Sequence, residues 1–232
     1  MINLLYENLV ANGAHRYFLF GLGITALITV AGLCMGTIAG AILCAMSGSR
    51  FRPLRLFARI YFLLTSGTPV LLLLTLFYYV ALAPFGVNAL VTAVIVFGLR
   101  SGALLGEIMR SALASADRGQ IQAARTLGFS APGAFLHVTL PQALRFAKPL
   151  CRHSAIAVLQ DTSVVGYIAV SDLTRIVNNM GSRTGNPFLA MATGIVLYLL
   201  LSWAISLCFS AKERRRPEDS AEGNESLGTK AA

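Results

Sequence analysis

Residues 17–49 read YFLFGLGITALITVAGLCMGTIAGAILCAMSGS, a stretch without a single Asp, Glu, Lys or Arg. A helix that crosses the hydrocarbon core of a bilayer needs about 20 consecutive, mostly apolar residues. Because lipid offers no hydrogen-bond partner to an open strand edge, a helix is the default structure for such a segment. The stretch therefore predicts a first transmembrane helix near Tyr17–Met46.

Other uncharged runs predict four more spans. Residues 60–99 are uncharged but too long for one helix, and Pro84, Gly86 and Asn88 interrupt them. Two further apolar runs lie in the C-terminal half, one of them around a lone Asp161. The predicted spans are Arg59–Ala83, Val87–Ser111, Pro149–Val170 and Pro187–Phe209. The predicted fold class is all-α, an integral membrane protein with five transmembrane helices.

Composition excludes several classes of protein. Of the 232 residues, 56% are apolar and only 12% are charged, whereas a soluble domain has about 25% charged residues. A disordered chain, a disulfide-stapled secreted domain and a typical soluble enzyme are therefore excluded. The net charge of +9 is divided among segments separated by long uncharged runs, so membrane lipid rather than nucleic acid is the expected partner. The four cysteines and three histidines show no metal-ligand spacing, and no metal site is predicted.

The basic residues predict an orientation in the membrane. Fifteen Lys and Arg residues fall in the first loop, the long central loop and the C-terminal tail, three fall on the opposite side, and Arg100 lies inside a span. The positive-inside rule then places the N-terminus outside and the C-terminus in the cytoplasm. The transmembrane domain covers residues 17–211. Residues 1–16 are either an amphipathic surface segment or a frayed tail, and residues 212–232 predict a disordered cytoplasmic tail.

The long central loop, about residues 112–147, has the features of ordered structure. Residues 120–127 favour a helix, and Gly128 is a suitable C-terminal cap. Ser130 then predicts the N-cap of a second helix, with Pro132 in its first turn. An ordered helix–turn–helix on the cytoplasmic face suggests docking to a cytoplasmic partner. A loop that lies amphipathically on the membrane surface is the alternative.

The same loop carries a motif, Gln122-Ala123-Ala124, then Gly128, then Val138-Thr139-Leu140-Pro141. In order and spacing it resembles the EAA motif of bacterial ABC importer permeases. The resemblance runs from about Phe18 to Phe209. Further stretches resemble the polar amino acid branch of that family, which includes histidine, glutamine and arginine permeases: Gly67-Thr68-Pro69, Glu107-Ile108, Asp161-Thr162-Ser163 and Asp172-Leu173-Thr174-Arg175.

The resemblance implies the type I ABC importer permease fold in a bacterial inner membrane and transport of a polar amino acid or related small solute. The implied partners are a cytoplasmic ABC ATPase dimer, an identical or paralogous permease subunit, and a periplasmic solute-binding protein. The chain itself is not expected to be an enzyme, because none of its lysines follows a glycine as a phosphate-cradling loop requires. ATP and Mg would then be bound by the partner ATPase. An ion-coupled secondary amino acid transporter is the alternative, but the inverted repeats of that class are not evident.

The resemblance also implies roles for individual residues. The residues that would contact the ATPase are Gln122, Ala123, Ala124, Arg125 and Gly128. Three departures from the family pattern stand out. Gln122 replaces the usual Glu, so an ionic contact to the ATPase would be weaker or carried elsewhere. Ser66 replaces the usual Arg before Gly-Thr-Pro, and Arg100 and Leu104 replace the usual Asn and Tyr, which bears on the solute that is accepted.

Two charges fall deep inside predicted spans, where charged residues are costly and usually functional. At 1.5 Å per residue, Arg100 lies roughly 15 Å and Asp161 roughly 18 Å into their spans. They could pair, or they could clamp a zwitterionic solute, Arg100 on its carboxylate and Asp161 on its ammonium. The predicted substrate-pathway residues are Arg100, Ser101, Asp161, Thr162 and Ser163. Glu107, two turns nearer the cytoplasm than Arg100, is predicted to be an anchor at that end of the helix.

Glycines recur at every fourth position in two of the predicted spans. Gly32, Gly36 and Gly40 lie in the first, and Gly102 and Gly106 in the third. This spacing lets helix backbones approach closely, and it predicts a packing contact.

Overall fold

The computed structural model describes residues 14–210, and every regular element within that range is helical. The all-α fold class is therefore confirmed for this part of the chain. The predictions for residues 1–13 and for the tail from residue 211 lie outside the described residues. In chain order, the α-helices are α1 (Ala14–Ser47), α2 (Arg52–Gly67), α3 (Val70–Leu76), α4 (Ala89–Ala114), α5 (Arg118–Thr126), α6 (Ala131–Ala134), α7 (Leu140–Asp161), α8 (Leu173–Thr184) and α9 (Pro187–Ser210).

Shorter helical turns extend or connect these helices. π-helical turns, Phe77–Ala81 and Phe135–Thr139, follow α3 and α6, and 3₁₀ turns occupy Ala83–Phe85 and Thr162–Ile168. The predicted interruption between the second and third spans is confirmed. Gly86 there has a left-handed φ of 61°, and the Asn88 side chain caps α4 by accepting a hydrogen bond from the Leu90 N–H at 2.8 Å.

The described residues form three unbroken and two broken candidate spans. α1, α4 and α9 are long and apolar enough to cross a membrane. Two helix pairs pass the same test only when taken together: Arg52–Gly67 with Val70–Ala81, bent by 107°, and Ala131–Ile168 with Leu173–Thr184, bent by 59°. Counting each bent pair as one span gives the five that the sequence predicts.

The predicted second span, Arg59–Ala83, is not one uninterrupted helix, because the helix breaks at Pro69. Proline has no N–H to continue the ladder, and its ring pushes the preceding residue out of the helical region. Thr68 accordingly has φ −107° and ψ 132°, an extended conformation. The chain then restarts as α3 in a new direction.

The predicted bounds of the fourth span, Pro149–Val170, are also wrong. α7 begins at Leu140, includes Pro149 in its interior, and ends at Asp161. The helix that the sequence predicts after Ser130 is therefore not a separate short helix, because it continues through a π-helical turn into α7. In that turn the Leu140 N–H donates to the Phe135 carbonyl, and the wider turn accommodates Pro141, whose ring would clash with a carbonyl in a regular α-helix.

The predicted glycine packing contact is confirmed, and it joins α1 to α4. A Cβ added at Gly40 would lie 2.8 Å from the backbone nitrogen of Gly106, and one at Gly36 would lie 2.9 Å from that of Gly102. Both distances are shorter than a carbon atom tolerates. Only glycine therefore permits these two backbones to lie so close together.

The main apolar core lies where α1, α3, α4 and α7 meet the 3₁₀ turn Thr162–Ile168. Its fully buried members include Ile28, Leu74, Phe97 and Val158. The outer faces of the long helices instead expose large apolar side chains, such as Leu199 and Trp203 on α9. Such faces suit lipid or another apolar partner surface.

Candidate functional site

An ion pair joins the middle of α4 to the end of α7. The Arg100 Nε donates to the Asp161 Oδ2 at 2.9 Å, and the two side chains are 20% and 29% exposed. The structure thus shows the pairing that the sequence left open as one of two possibilities. Because both side chains keep some exposed surface, the pair is also accessible to a small polar molecule.

Arg100 also contacts the broken end of α2. Its Nη1 donates to the carbonyl oxygens of Thr65 and Thr68, at 3.3 Å and 3.5 Å. The last carbonyls of a helix have no partner within the helix, and they carry the negative end of its dipole. The guanidinium therefore supplies both a donor and a positive charge where α2 breaks.

Asp161 is the last residue of α7, where the α-helix tightens into the 3₁₀ turn Thr162–Ile168. The break of this span comes later, between Ile168 and Leu173. Arg100 thus connects the broken end of α2 to the end of the α-helical part of α7. Interrupted helices inside a membrane are the feature that forms solute and ion sites in many transporters.

The remaining predicted pathway residues divide into two groups. Ser101 is fully buried and donates to the Gly32 carbonyl oxygen at 2.8 Å, so it lies in the α1–α4 contact. Thr162 is also fully buried, and it donates to the Leu159 carbonyl oxygen at 2.7 Å. Ser163 keeps partial exposure beside Asp161. Ser163 thus keeps an accessible side chain, whereas Ser101 and Thr162 belong to the packing of the helices.

A buried polar cluster fixes the second break, and the sequence pattern did not predict its geometry. Asp172 is fully buried and caps α8, accepting from the N–H groups of Thr174 and Arg175 at 3.0 Å each. The Thr174 hydroxyl lies 2.7 Å from the Tyr198 hydroxyl on α9, and the Leu173 N–H donates to the Thr25 hydroxyl oxygen of α1 at 3.2 Å. This cluster ties α8 to α1 and α9.

The central loop is ordered, with α5 capped at both ends. Asp117 accepts from the Gly119 N–H at 2.8 Å at the start of the helix. At its end, Gly128 has φ 92°, and the N–H groups of Gly128 and Phe129 donate to the carbonyl oxygens of Arg125 and Ala124 at 3.2 Å and 3.1 Å. This paired bonding is the Schellman motif, and it confirms the predicted glycine cap.

The predicted coupling residues lie together on this loop. Gln122, Ala123, Arg125 and Gly128 are exposed, whereas Ala124 is buried against the rest of the chain. Leu127, which the sequence did not single out, is 79% exposed. The Ser130 side chain accepts from the Gly133 N–H at 3.2 Å, so the predicted N-cap of the next helix is also confirmed.

Gln142 connects this loop to the helix that carries Asp161. Its Oε1 accepts from the Asp117 N–H at 3.0 Å, and its Nε2 donates to the Gln120 Oε1 at 2.8 Å. Gln142 lies in the first turn of α7, whose last residue is Asp161. At 1.5 Å per residue, α7 forms a connection of about 30 Å between the loop and the ion pair.

Three features together define a membrane transport subunit: long apolar helices, an ion pair that joins α4 to a broken span, and an exposed ordered loop. Residues 32–216 match the family described as binding-protein-dependent transport system inner membrane component. The chain belongs to this family, which confirms the resemblance drawn from the loop motif. It is therefore a transport subunit, and ATP hydrolysis in such systems lies in separate chains.

Characterised relatives agree with this assignment. The chain is 31% identical to the glutamate/aspartate import permease protein GltK of Escherichia coli, over 86% of this chain and 93% of that protein. It is also 31% identical to the histidine/lysine/arginine/ornithine transport system permease protein HisM of Salmonella typhimurium, over 90% and 93%.

Solved structures show the same fold. A crystal structure of an amino acid ABC transporter with histidines superposes with a TM-score of 0.78 at 30% identity, covering 87% of this chain and 95% of that chain. The inward-facing MetNI methionine ABC transporter superposes with a TM-score of 0.70 at 17% identity, covering 86% and 95%. At that lower identity the second likeness concerns the fold alone.

Proposed function

We propose that this chain pairs with an identical or paralogous permease subunit and imports a polar amino acid at the expense of ATP. A periplasmic solute-binding protein delivers the solute, and a cytoplasmic ABC ATPase dimer, which binds ATP and Mg, docks on α5. The N-terminus lies outside and the C-terminus in the cytoplasm of a bacterial inner membrane. Family membership and the amino acid permeases among the relatives support an ATP-driven importer over an ion-coupled transporter.

The observation that carries the proposal is the Arg100–Asp161 pair, whose arginine also contacts the broken end of α2. An amino acid zwitterion presents the same two charges as the pair. Its carboxylate replaces Asp161 on the guanidinium, and its ammonium replaces Arg100 on the carboxylate. The solute then forms ion pairs with Arg100 and Asp161 in place of the pair that they form with each other, and Ser163 is a nearby polar side chain.

The path from α5 to Asp161 supplies the coupling. Because Gln142 bonds α5 to α7, a displacement of α5 by the ATPase is transmitted along α7 to Asp161. Arg100 lies on α4, whose backbone is packed against α1 through glycines. ATP-driven motion of α7 relative to α4 would therefore open and close the ion pair, a bistable arrangement of the kind that alternating access requires.

Purification of the intact complex from native membranes tests this proposal. Mass spectrometry of the purified material is expected to find a second permease, an ATPase and a bound small zwitterion. In Asp161→Asn the subunits should remain together while the bound solute is lost. Arg183→Gln, which removes an exposed charge at the end of α8, is the control and should retain the solute. A complex without an ATPase, or one in which Asp161→Asn keeps its solute, would contradict the proposal.

A further inference from the structure

A groove of about 620 Å³ lies between α2, α4 and the end of α1, on the side of the molecule that carries α5. Its lower part is basic, lined by Arg55 and Arg59 of α2 and Arg110 of α4. Its upper wall includes the apolar Phe62 and Leu63. We call it the basic groove, and nothing in the transport mechanism described above uses it.

Within residues 14–210, the positive charge in the basic groove is only partly neutralised by the protein. Arg55, Arg59 and Arg110 are all exposed, and among residues 14–210 none of them forms a salt bridge. The carboxylate that lines the groove is Glu107, which leaves an excess of two positive charges. An anion is the ligand that this arrangement favours.

Two of these arginines, Arg55 and Arg110, lie at the depth of the headgroup layer of a bilayer. Arg100 contacts the Thr65 carbonyl, so these residues lie at one level, which we place near the bilayer midplane. At 1.5 Å per residue, Arg110 lies about 15 Å from that level along α4, and Arg55 lies about 15 Å from it along α2. The hydrocarbon core of a bilayer extends about 15 Å from its midplane, and both arginines therefore lie at its polar boundary.

The wall above the arginines is suited to an acyl chain. Leu63 is 72% exposed, and Gly67, at the upper end of the groove, offers no side chain and has no atom within 4 Å of where its Cβ would lie. The groove thus changes from basic to apolar over the distance in which a phospholipid changes from phosphate to hydrocarbon. A free anion would use the arginines but would leave this wall unused.

We propose that the basic groove binds one anionic phospholipid, with its phosphate among Arg55, Arg59 and Arg110 and an acyl chain along Phe62 and Leu63. Basic pockets between helices on the cytoplasmic side of a membrane recognise anionic headgroups in this way. Glu107 faces the same space and sets a limit on the charge of the headgroup that is accepted. The proposal does not depend on which solute the chain transports.

The test measures which lipid the full chain retains. The protein is reconstituted in equal amounts of phosphatidylglycerol and phosphatidylcholine, purified in mild detergent, and the retained lipids are counted by mass spectrometry. Arg55→Gln, Arg59→Gln and Arg110→Gln are combined in one variant. The matched control combines Arg118→Gln, Arg145→Gln and Arg152→Gln. These three arginines are exposed and do not line the groove, so the control loses the same positive charge as the groove variant.

The wild type and the control are expected to retain phosphatidylglycerol preferentially. The groove variant is expected to lose that preference by about a hundredfold, since each basic residue near the surface contributes about fivefold to anionic lipid binding. The single change Arg110→Gln, compared with Arg118→Gln, gives a partial loss and does not depend on the triple variant folding. No preference in the wild type, or an equal loss in groove variant and control, would overturn the proposal. Displacement of the lipid by millimolar inorganic phosphate or glutamate would also overturn it, and would identify the groove as a site for free anions.

Discussion

Removing either member of the Arg100–Asp161 pair strands the other charge inside the protein. Breaking a fully buried ion pair costs about 3–5 kcal/mol. Because the two side chains are 20% and 29% exposed, we expect Asp161→Leu to destabilise by about 3 kcal/mol, the lower end of that range. Arg100→Leu also removes the donor to two carbonyl oxygens, which at about 1 kcal/mol each raises its cost further.

The double variant, Arg100→Leu with Asp161→Leu, leaves no stranded charge. It should therefore be more stable than the sum of the two single changes by about 3 kcal/mol, which is a large coupling energy for one pair. The assay is unfolding of the purified complex in detergent, with complex yield as a second measure. If the single effects add to within about 0.5 kcal/mol, the pair is not energetically coupled and the reasoning from its geometry is refuted.

Uptake by the same variants separates pairing from solute contact. If the two charges bind solute, the double variant should regain yield without regaining transport. Recovery of both yield and transport would show that neither charge contacts the solute. The zwitterion arrangement would then be wrong, although the family assignment would stand.

Three further predictions concern other parts of the chain. Gly128→Asp places a side chain on a residue with φ 92°, which strains the backbone by about 1–2 kcal/mol. The variant should insert its spans normally, but in proteoliposomes its ATP hydrolysis should be uncoupled from transport. Normal coupled transport would contradict the role of α5. In the same detergent unfolding assay, Gly40→Ala should destabilise the protein by about 1–3 kcal/mol, because its Cβ would lie 2.8 Å from a backbone nitrogen of α4. Gly23→Ala is the control and should be close to neutral, because no atom lies within 4 Å of its added Cβ. A membrane-impermeant thiol reagent should label a cysteine added before Met1 but not one near Thr229 in intact cells, and the opposite pattern would reverse the proposed orientation.

The sequence predicted the features that depend on local chemistry. Uncharged length identified the candidate spans, because the bilayer requires it. The caps at Gly128 and Ser130 were predictable because each requires a particular residue type in a particular backbone conformation. The spacing of Gly36 and Gly40 predicted a packing contact, but not that α4 is its partner.

The features that the sequence did not predict depend on tertiary context. Hydropathy measures the length of an apolar run but not the direction of the helix axis. The predicted second span therefore continues through Pro69, where the structure has a break. Pro141 does not end its helix, because a π-helical turn accommodates its ring. Ser101 and Thr162 are polar and adjoin the paired charges in sequence, yet their own helices turn them into the packing.

The sequence suggested that Arg100 and Asp161 could pair, but it did not decide between pairing and contact with a solute. Opposite charges at similar depth permit a contact, but the break of α2 that brings its last carbonyls to Arg100 is visible only in three dimensions. Thr65 and Thr68 contribute through their backbone carbonyls, which no residue-type pattern reports. The signal that was available is the Gly67-Thr68-Pro69 stretch, since the residue before a proline is driven out of the helix.

Uptake of a labelled amino acid into proteoliposomes that contain the purified complex tests the central claim most directly. Solute-binding protein is supplied on one side of the membrane and ATP on the other, with all ion gradients collapsed. We expect uptake that requires ATP and is abolished by Asp161→Asn. Uptake that continues without ATP and follows an imposed ion gradient would contradict it.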